Sequence, residues 1–247
     1  MSISTASAHR PPLLALLSSW IFSSIGKKTI VALTGIVLTG FVVGHMCGNL
    51  TFFFGQDMIN GYAMHLEDLG IFLWFIRIFL LATLTCHIYF TMLLWKENAA
   101  ARPTKYKFRT TIQSTVFSRT MRLTGLILFA FIAFHIAHFT ARIIDPQYNS
   151  YLAALPDGHE VRNVFKMMVA GFSNPIVSGF YVLSMGLLAF HLSHGIASLF
   201  QTLGLANQAL LPRFKILGRI IALLLFIGFS AIPISVVVFG YGKSVLN

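Results

Sequence analysis

Six histidines lie inside apolar stretches of this sequence, where an ionisable side chain is costly and is usually functional. They occur in the segments VVGHMCGNL (His45), LTCHIYFTM (His87), AFHIAHFTAR (His135 and His138) and AFHLSHGIASLF (His191 and His194). An imidazole in such a place can hydrogen-bond a neighbouring helix, relay protons or bind a metal or a haem iron. Which of these roles applies depends on which helices carry the histidines and on how deep in the membrane each histidine lies.

The composition indicates an integral membrane protein. Of the 247 residues, 56% are hydrophobic and only 10% are charged, whereas a soluble domain carries about 25% charged residues. A net charge of +11 would suggest a nucleic-acid partner for a soluble protein, but here the distribution of Lys and Arg matters more than their sum, and no nucleic-acid partner is predicted. Cys47 and Cys86 lie within apolar spans without a CxxC motif and are interpreted as small interior residues.

Five segments are long and apolar enough to cross a bilayer as helices, namely residues 28–51, 70–95, 122–143, 175–200 and 218–240. The run from Leu13 to Phe22 is too short to cross a hydrocarbon core of ~30 Å. No A-x-A-like cleavage site follows it, so an interfacial helix is favoured over a signal peptide. The prediction is an all-α, polytopic membrane bundle of five transmembrane helices, preceded by a short interfacial N-terminal helix, with residues 1–247 as one domain.

The basic residues predict how the bundle is oriented. Thirteen of the 18 Lys and Arg residues fall in the N-terminal segment and in the 96–122 and 201–219 connections, and five fall on the opposite side. The positive-inside rule therefore places the N-terminus in the cytoplasm and the C-terminus outside. The expected location is the inner (cytoplasmic) membrane of the cell, crossed several times.

This orientation sorts the histidines by depth. His45 comes late in a span that runs outward, after a rise of about 25 Å at ~1.5 Å per residue, and His135 and His138 lie in the outer part of the third span. His87 and His191 come late in spans that run inward, so both lie in the inner half. An outer pair and an inner pair result, each from two different helices.

Two histidines that face each other at one level suit axial ligation of a b-type haem, and two levels suit two haems. By spacing alone, His138 could replace His135 and His194 could replace His191, because residues three apart share a helix face. Ordinary interhelical hydrogen bonds are the bland alternative. A transporter with a histidine proton relay is another, although such proteins usually add Asp or Glu in mid-membrane, and none is present here. Zinc is disfavoured because no Cys/His cluster has zinc-ligand spacing.

The motifs resemble those of a known family over nearly the whole chain. They are SSIGKK (23–28), GHMCGNL (44–50), NGYAMHL (60–66), SRTMRLTG (118–125), FHIAHFT (134–140), GFSNPIVSGFY (171–181) and FHLSHGIASLFQTLG (190–204). Together they are similar to the di-haem cytochrome b membrane subunit of succinate dehydrogenase and fumarate reductase (complex II), in its five-helix, single-anchor form. The fifth span and the 96–117 loop resemble the family only in general composition, without a matching motif.

The resemblance implies a function and a ligand set. The subunit would anchor a flavoprotein subunit and an iron–sulfur subunit, and electrons would pass through two haem b groups to or from a quinone, typically menaquinone. Its axial positions fall on His45 with His135 for the outer, distal haem, and on His87 with His191 for the inner, proximal haem. No succinate chemistry and no catalytic residue is expected on this chain, which would serve the tricarboxylic acid cycle or its reverse step. The cytochrome b of a hydrogenase or similar quinone-linked enzyme is a second electron-transfer alternative.

Haem propionates are anionic and require basic or hydroxyl groups near the membrane edges. The candidates for the haem surroundings are Ser24, Lys28, Arg122, His138, Arg142 and His194. For the basic residues, a snorkelling or positive-inside role is an equal alternative.

A quinone site needs an apolar slot and a group that exchanges protons with the quinone oxygens. Tyr62, His65 and Glu67 of the outer stretch NGYAMHLED are the candidates, with an ordinary solvated loop as the alternative. An inner quinone site, with Ser24, Lys27 and Trp20, stays open.

Overall fold

A computed structural model describes residues 12–101 and 116–246 of the chain. Within these residues the chain forms eight α-helices and one small antiparallel hairpin. The helices are α1 (Leu13–Ile21), α2 (Ser24–Leu50), α3 (Gln56–Glu67), α4 (Ile71–Ala100), α5 (Val116–His135), α6 (Val164–Ser173), α7 (Pro175–Thr202) and α8 (Leu211–Val237). The hairpin pairs β1 (Leu152–Ala154) with β2 (Glu160–Arg162).

Five of these helices are long and apolar enough to span a membrane: α2, α4, α5 with its continuation to Thr140, α7 and α8. The prediction of an all-α bundle with five spans and a short N-terminal helix is therefore confirmed. The short helices α3 and α6 and the hairpin were not predicted. Residues 1–11 and 102–115, which hold five of the basic residues used for the orientation, lie outside the described residues.

Local capping decides where two of the spans begin. Ser23 accepts a hydrogen bond from the backbone N–H of Gly26 at 3.0 Å, so α2 begins at Ser24, four residues before the predicted start. Asn174 caps α7 through the N–H groups of Ile176 and Val177, and Pro175 occupies the first helical position, where its missing N–H is harmless.

The third span ends differently from the prediction. After His135, the helix widens into a π-turn over Ile136–Thr140, in which the N–H of Ala141 bonds to the carbonyl of Ile136 at 2.7 Å. Arg142 then adopts a left-handed backbone conformation with φ of 52°. This conformation cannot continue a right-handed helix, so the span ends three residues before the predicted Ile143.

The helices pack as a bundle around α2 and α7. Helix α2 contacts α4, α7 and α8, and α7 contacts α5 and α8. Large apolar side chains cover the outer faces of the spans, as Leu33, Phe75, Ile78, Leu126 and Leu223 show. Exposed apolar faces on all spans are the pattern expected of helices that contact lipid.

We call the end of the bundle at which α2 begins the inner end and the other the outer end. At the inner end, Lys27 is only 5% exposed and forms an ion pair with Glu97 near the end of α4. This pair joins the inner ends of the first two spans. The apolar side chains of α1 are exposed along its length, which is the pattern of a helix that lies on a membrane surface.

The outer end is closed by α3, the hairpin and α6. Asn60 of α3 is 1% exposed, and its Oδ1 accepts a hydrogen bond from the N–H of Phe165 at 3.0 Å. Its amide nitrogen also donates to Asn163 at 3.4 Å, and Asn163 caps α6 through the N–H of Lys166. Buried polar groups that are all paired in this way hold two elements in one register.

Candidate haem sites

The fold brings together the outer pair of predicted ligands, His45 of α2 and His135 of α5. Their ring centres lie 5.8 Å apart and the ring planes meet at 77°. A metal ion between two imidazoles, with metal–nitrogen bonds of about 2 Å, separates the ring centres by roughly 6 Å. The spacing therefore fits two axial imidazoles on one iron. Phe41 and Phe229 pack on His45, and the amide nitrogen of Asn49, one turn along α2, lies 3.3 Å from each of its ring nitrogens.

The inner pair consists of His87 on α4 and His191 on α7, which lie close enough to interact electrostatically. Each ring rests against a threonine of a neighbouring helix. His87 Nδ1 lies 3.0 Å from Thr34 Oγ1 of α2, and His191 Nδ1 lies 3.4 Å from Thr124 Oγ1 of α5. Both threonine hydroxyls already donate to a carbonyl oxygen of their own helix, at 2.7 Å and 3.1 Å respectively.

These contacts define the tautomers of the inner pair. A threonine hydroxyl that donates its hydrogen to a backbone carbonyl accepts from the imidazole, so this arrangement favours the Nδ1–H tautomer in His87 and in His191. The lone pair of Nε2 is then free in both rings. A histidine in this form can bind a metal through Nε2 while a hydrogen-bond partner holds its Nδ1. The donor set therefore suits axial ligation at the inner level.

Small residues beside these threonines leave room next to the rings. A Cβ built on Gly35 would lie 3.5 Å from His87 Cε1, and a Cβ on Gly125 would lie 3.5 Å from His191 Cε1. Side chains beyond alanine would press on the imidazoles there. The two rings thus have matching environments, each formed by a Thr-Gly step.

The Thr-Gly steps stand in a fixed register with the outer ligands. Thr34 precedes His45 by eleven residues, and Thr124 precedes His135 by eleven. Eleven residues make three helical turns, about 16 Å, and return to the same face. Helices α2 and α5 therefore each carry an outer ligand and an inner-ligand partner on one face. Sequence reasoning missed Thr34 and Thr124, although the repeated T-G-x9-H spacing was visible.

The second histidines of the two motifs are engaged elsewhere. His138 is 1% exposed, with Nδ1 3.1 Å from the hydroxyl of Tyr181 and Nε2 3.3 Å from Asp145. His194 Nε2 lies 3.1 Å from Ser198 Oγ, one turn along α7. Both nitrogens of His138 thus have partners within the protein, which opposes its use as an iron ligand.

The inner candidates for propionate contacts lie at the ends of the spans. Ser24 and Lys28 are exposed on the first turns of α2, and Arg122 is exposed with its guanidinium 5.3 Å from the centre of the Trp95 ring. His194 lines a small cavity of about 60 Å³ between α7 and α8, together with Lys215 and Arg219.

The outer candidate, Arg142, has partners of its own. Its Nε donates to Asn149 at 2.7 Å. Burial, and then the nearby guanidinium of Arg162, lower the pKa of Arg142 below its ordinary value. A site with two guanidinium groups near each other would be stabilised by an anion.

All three residues predicted for a quinone site lie on α3. Tyr62 packs against Gly48 of α2, one turn beyond His45. Glu67 accepts a hydrogen bond from Arg162 Nε of β2 at 3.2 Å, and His65 is exposed. Tyr62 therefore approaches the helix that carries His45. At the inner end, Lys27 of the alternative site is held by Glu97.

We expect Gly48→Ala to displace Tyr62 and to destabilise the protein by about 1–3 kcal/mol, the usual range for overpacking. A Cβ at this position would lie 2.6 Å from two ring carbons of Tyr62. Thermal unfolding in detergent measures the change. Gly40→Ala on the same helix is the matched control, since a Cβ there meets nothing within 4 Å. An equal effect of both variants would contradict the packing argument.

No group of three or more His, Cys, Asp or Glu side chains converges on a possible metal site within residues 12–101 and 116–246. The paired histidines could supply two ligands at each level, the number that an iron needs when a porphyrin provides the remaining four.

The fold and these sites define a polytopic helical membrane protein with two histidine pairs that join different helices in its interior. Its family follows from comparison with known proteins. A family model described as "Succinate dehydrogenase/Fumarate reductase transmembrane subunit" matches residues 96–232. The chain belongs to this family, which confirms the family predicted from the motifs.

The matched range contains His135 and His191 but begins after His45 and His87. Searches of curated proteins and of solved structures found no match.

Proposed function

We propose that this chain is the di-haem b, quinone-reactive membrane anchor of succinate dehydrogenase or fumarate reductase, through which electrons pass between an iron–sulfur subunit and menaquinone. Family membership establishes the coarser statement, that the chain is a transmembrane subunit of this oxidoreductase. The observation that carries the finer proposal is the arrangement of His45, His87, His135 and His191 as two pairs, each of which joins two spans.

In this proposal His45 and His135 hold the outer haem, and His87 and His191 hold the inner one. A bound haem b supplies a one-electron couple, whose potential depends on its axial ligands and their hydrogen bonds. Thr34 and Thr124 orient the inner imidazoles, and Phe41 and Phe229 pack against the His45 ring. The protein thereby fixes the position and the dielectric surroundings of each iron.

The inner end is the docking face in this proposal. Among the described residues, the basic groups at this end include Lys28, Arg122, Lys215 and Arg219, and Glu97 is the only acid. The positive-inside rule places such an end in the cytoplasm, where the flavoprotein and iron–sulfur subunits would bind. The inner pair is then the one nearer to the electron donor or acceptor, and Ser24, Lys28 and Arg122 are the propionate candidates there.

Quinone chemistry is assigned to the outer end, beside the outer pair. Tyr62 supplies a hydroxyl within reach of α2 one turn beyond His45, and His65 and Glu67 continue from it along α3 towards the outer surface. A hydroxyl and two titratable groups on one short helix could exchange protons with a quinone.

Family membership favours this function over the two alternatives. A histidine-relay transporter and a hydrogenase cytochrome b would both use intramembrane histidines, but the family match over α5, α6, α7 and most of α8 is to complex II.

The proposal predicts two b-type haems per chain. A reduced-minus-oxidised spectrum of the purified complex, combined with haem extraction and protein quantification, measures this number. Two haems of b type support the proposal. A chain without any b-type signal would exclude it, and a single haem would exclude the di-haem form. Co-purification of a flavin-bearing subunit separates complex II from hydrogenase-type partners.

A further inference from the structure

A chain of hydrogen bonds runs from His135 to the outer surface. Tyr181 of α7 stands between the two histidines of the third span: its hydroxyl lies 3.4 Å from His135 Nδ1 and 3.1 Å from His138 Nδ1. The Nε2 of His138 lies 3.3 Å from Asp145 Oδ2. Tyr181 is 6% exposed and His138 is 1% exposed, whereas the Asp145 side chain is 36% exposed. The chain thus begins in the interior and ends on a carboxylate at the surface.

The direction of each hydrogen bond follows from the carboxylate. An ionised carboxylate only accepts, so Nε2 of His138 must donate to Asp145. In a neutral imidazole the other nitrogen then carries a lone pair, so Nδ1 of His138 accepts the hydroxyl hydrogen of Tyr181. The Tyr181 oxygen in turn accepts from Nδ1–H of His135. The lone pair of His135 is thereby left on Nε2.

Tyr148 agrees with this assignment. Its hydroxyl lies 3.4 Å from His138 Nε2, so the oxygen of Tyr148 can also accept from the Nε2–H that faces Asp145. Burial, followed by the charge and the hydrogen bond of Asp145, raises the pKa of Tyr148 well above its ordinary value. Tyr148 and Asp145 therefore both lie beside the Nε2 of His138.

The π-turn at Ile136–Thr140 contains His138 and accompanies this arrangement. Single π-turns in α-helices are frequent at functional sites. Here the turn lies directly after His135, and both histidines contact one hydroxyl of a neighbouring helix.

We propose that Tyr181, His138 and Asp145 are positioning residues that hold His135 in the Nδ1–H tautomer and strengthen its Nε2 as the ligand of the outer haem iron. This inference rests on the proposed function. Hydrogen bonding of the non-ligating nitrogen raises the basicity of a ligand, and the effect grows with the strength of the acceptor. The outer ligand is connected to a carboxylate, whereas the inner ligands contact neutral threonine hydroxyls. The two haems are thus tuned by different means.

The test is a potentiometric titration of the purified complex, in which the inner haem serves as an internal reference. A more basic ligand favours ferric iron, so Tyr181→Phe raises the potential of the outer haem and leaves that of the inner haem unchanged. A tenfold loss of ferric preference corresponds to about 59 mV for one electron. Asp145→Asn also raises the potential of the outer haem, but less than Tyr181→Phe does, because it acts through two intervening hydrogen bonds. Asp145→Glu keeps a carboxylate and therefore keeps the wild-type potential.

Matched controls separate this effect from a general disturbance of the outer end. Tyr241→Phe removes a hydroxyl 3.4 Å from the carbonyl of Phe53, and Asp157→Asn removes a carboxylate that contacts His159. Neither variant alters the outer potential if the inference is correct.

Unchanged outer potentials in both Tyr181→Phe and Asp145→Asn, with both haems present, would overturn the inference and leave the proposed function intact. If Tyr181→Phe loses the outer haem, the test rests on the outer potential of the two Asp145 variants. The inference then requires a raised potential in Asp145→Asn and a wild-type potential in Asp145→Glu, and a wild-type potential in Asp145→Asn would overturn it. Wild-type protein without b-type haem would instead contradict the proposed function itself.

Discussion

Replacement of His135 with alanine is expected to abolish binding of the outer haem, whereas His138→Ala retains it. His135 lies 5.8 Å from His45, ring centre to ring centre, and its Nε2 is the nitrogen left free for iron. His138 has partners at both ring nitrogens, namely Tyr181, Tyr148 and Asp145. Removal of one axial ligand leaves the iron with a single protein ligand. Removal of a residue that only hydrogen-bonds a ligand typically weakens binding by about 10–100-fold.

The measurement is the haem content per chain and the difference spectrum of each variant, with the inner haem as the reference. His138→Ala keeps two haems, and the outer potential rises because the connection from Tyr181 to Asp145 is broken. His65→Ala, at an exposed position on α3, is the control for a histidine lost from the outer end. Loss of the outer haem in His138→Ala with retention in His135→Ala would reassign the ligand.

The number and type of the spans could be predicted from the sequence because lipid imposes long, uninterrupted apolar helices. The ends of the spans could not, since they depend on individual contacts. Helix α8 begins at Leu211, seven residues before the predicted start, and its first turns carry Arg213 and Lys215. Long basic side chains can extend to the membrane surface from such a turn, so their charge does not mark a helix end.

The pairing of the histidines could also be predicted, because depth follows from helical rise and chain direction alone. The partners of the imidazoles fall into two groups. Thr34 and Thr124 were predictable in principle from the repeated T-G-x9-H spacing, since both members of each pattern lie on one helix. Tyr181 and Asp145 could not be predicted as partners of His138. Tyr181 lies on another helix, 43 residues along the chain, and the third span turns into a π-turn at His138, which the local apolar periodicity does not indicate.

One of the proposed quinone residues has a partner that lies far along the chain. Tyr62, His65 and Glu67 were predicted because their stretch lies at the outer end and their groups could exchange protons with a quinone, and all three lie on α3. Glu67 pairs with Arg162, a residue 95 positions along the chain, in a hairpin that the sequence did not predict. The partner of Glu67 could therefore not be predicted from the sequence around it.

The second large effect is expected at the inner pair, where His191→Ala should remove the inner haem and stop electron transfer between the partner subunits and quinone. His191 Nδ1 is held by Thr124, so its Nε2 is the free ligand, and His87 is its counterpart at the same level. In the proposed orientation, the inner pair stands between the docking face and the outer pair. Its loss therefore interrupts the route, whereas loss of the outer haem removes only the far end.

Two assays on the same purified complex test this expectation. Succinate oxidation with an artificial acceptor reports on the partner subunits and stays near the wild-type rate, while succinate–quinone activity falls by more than about 100-fold, beyond the loss typical of an outer-shell partner. His194→Ala is the matched control, because its imidazole contacts Ser198 within α7 and lies one turn nearer the inner surface. It keeps both haems and most of the quinone activity. If His191→Ala retained quinone activity with intact partner subunits, the quinone would have to react on the inner side, ahead of the haems, and the residues beside Lys27 would become the site to examine.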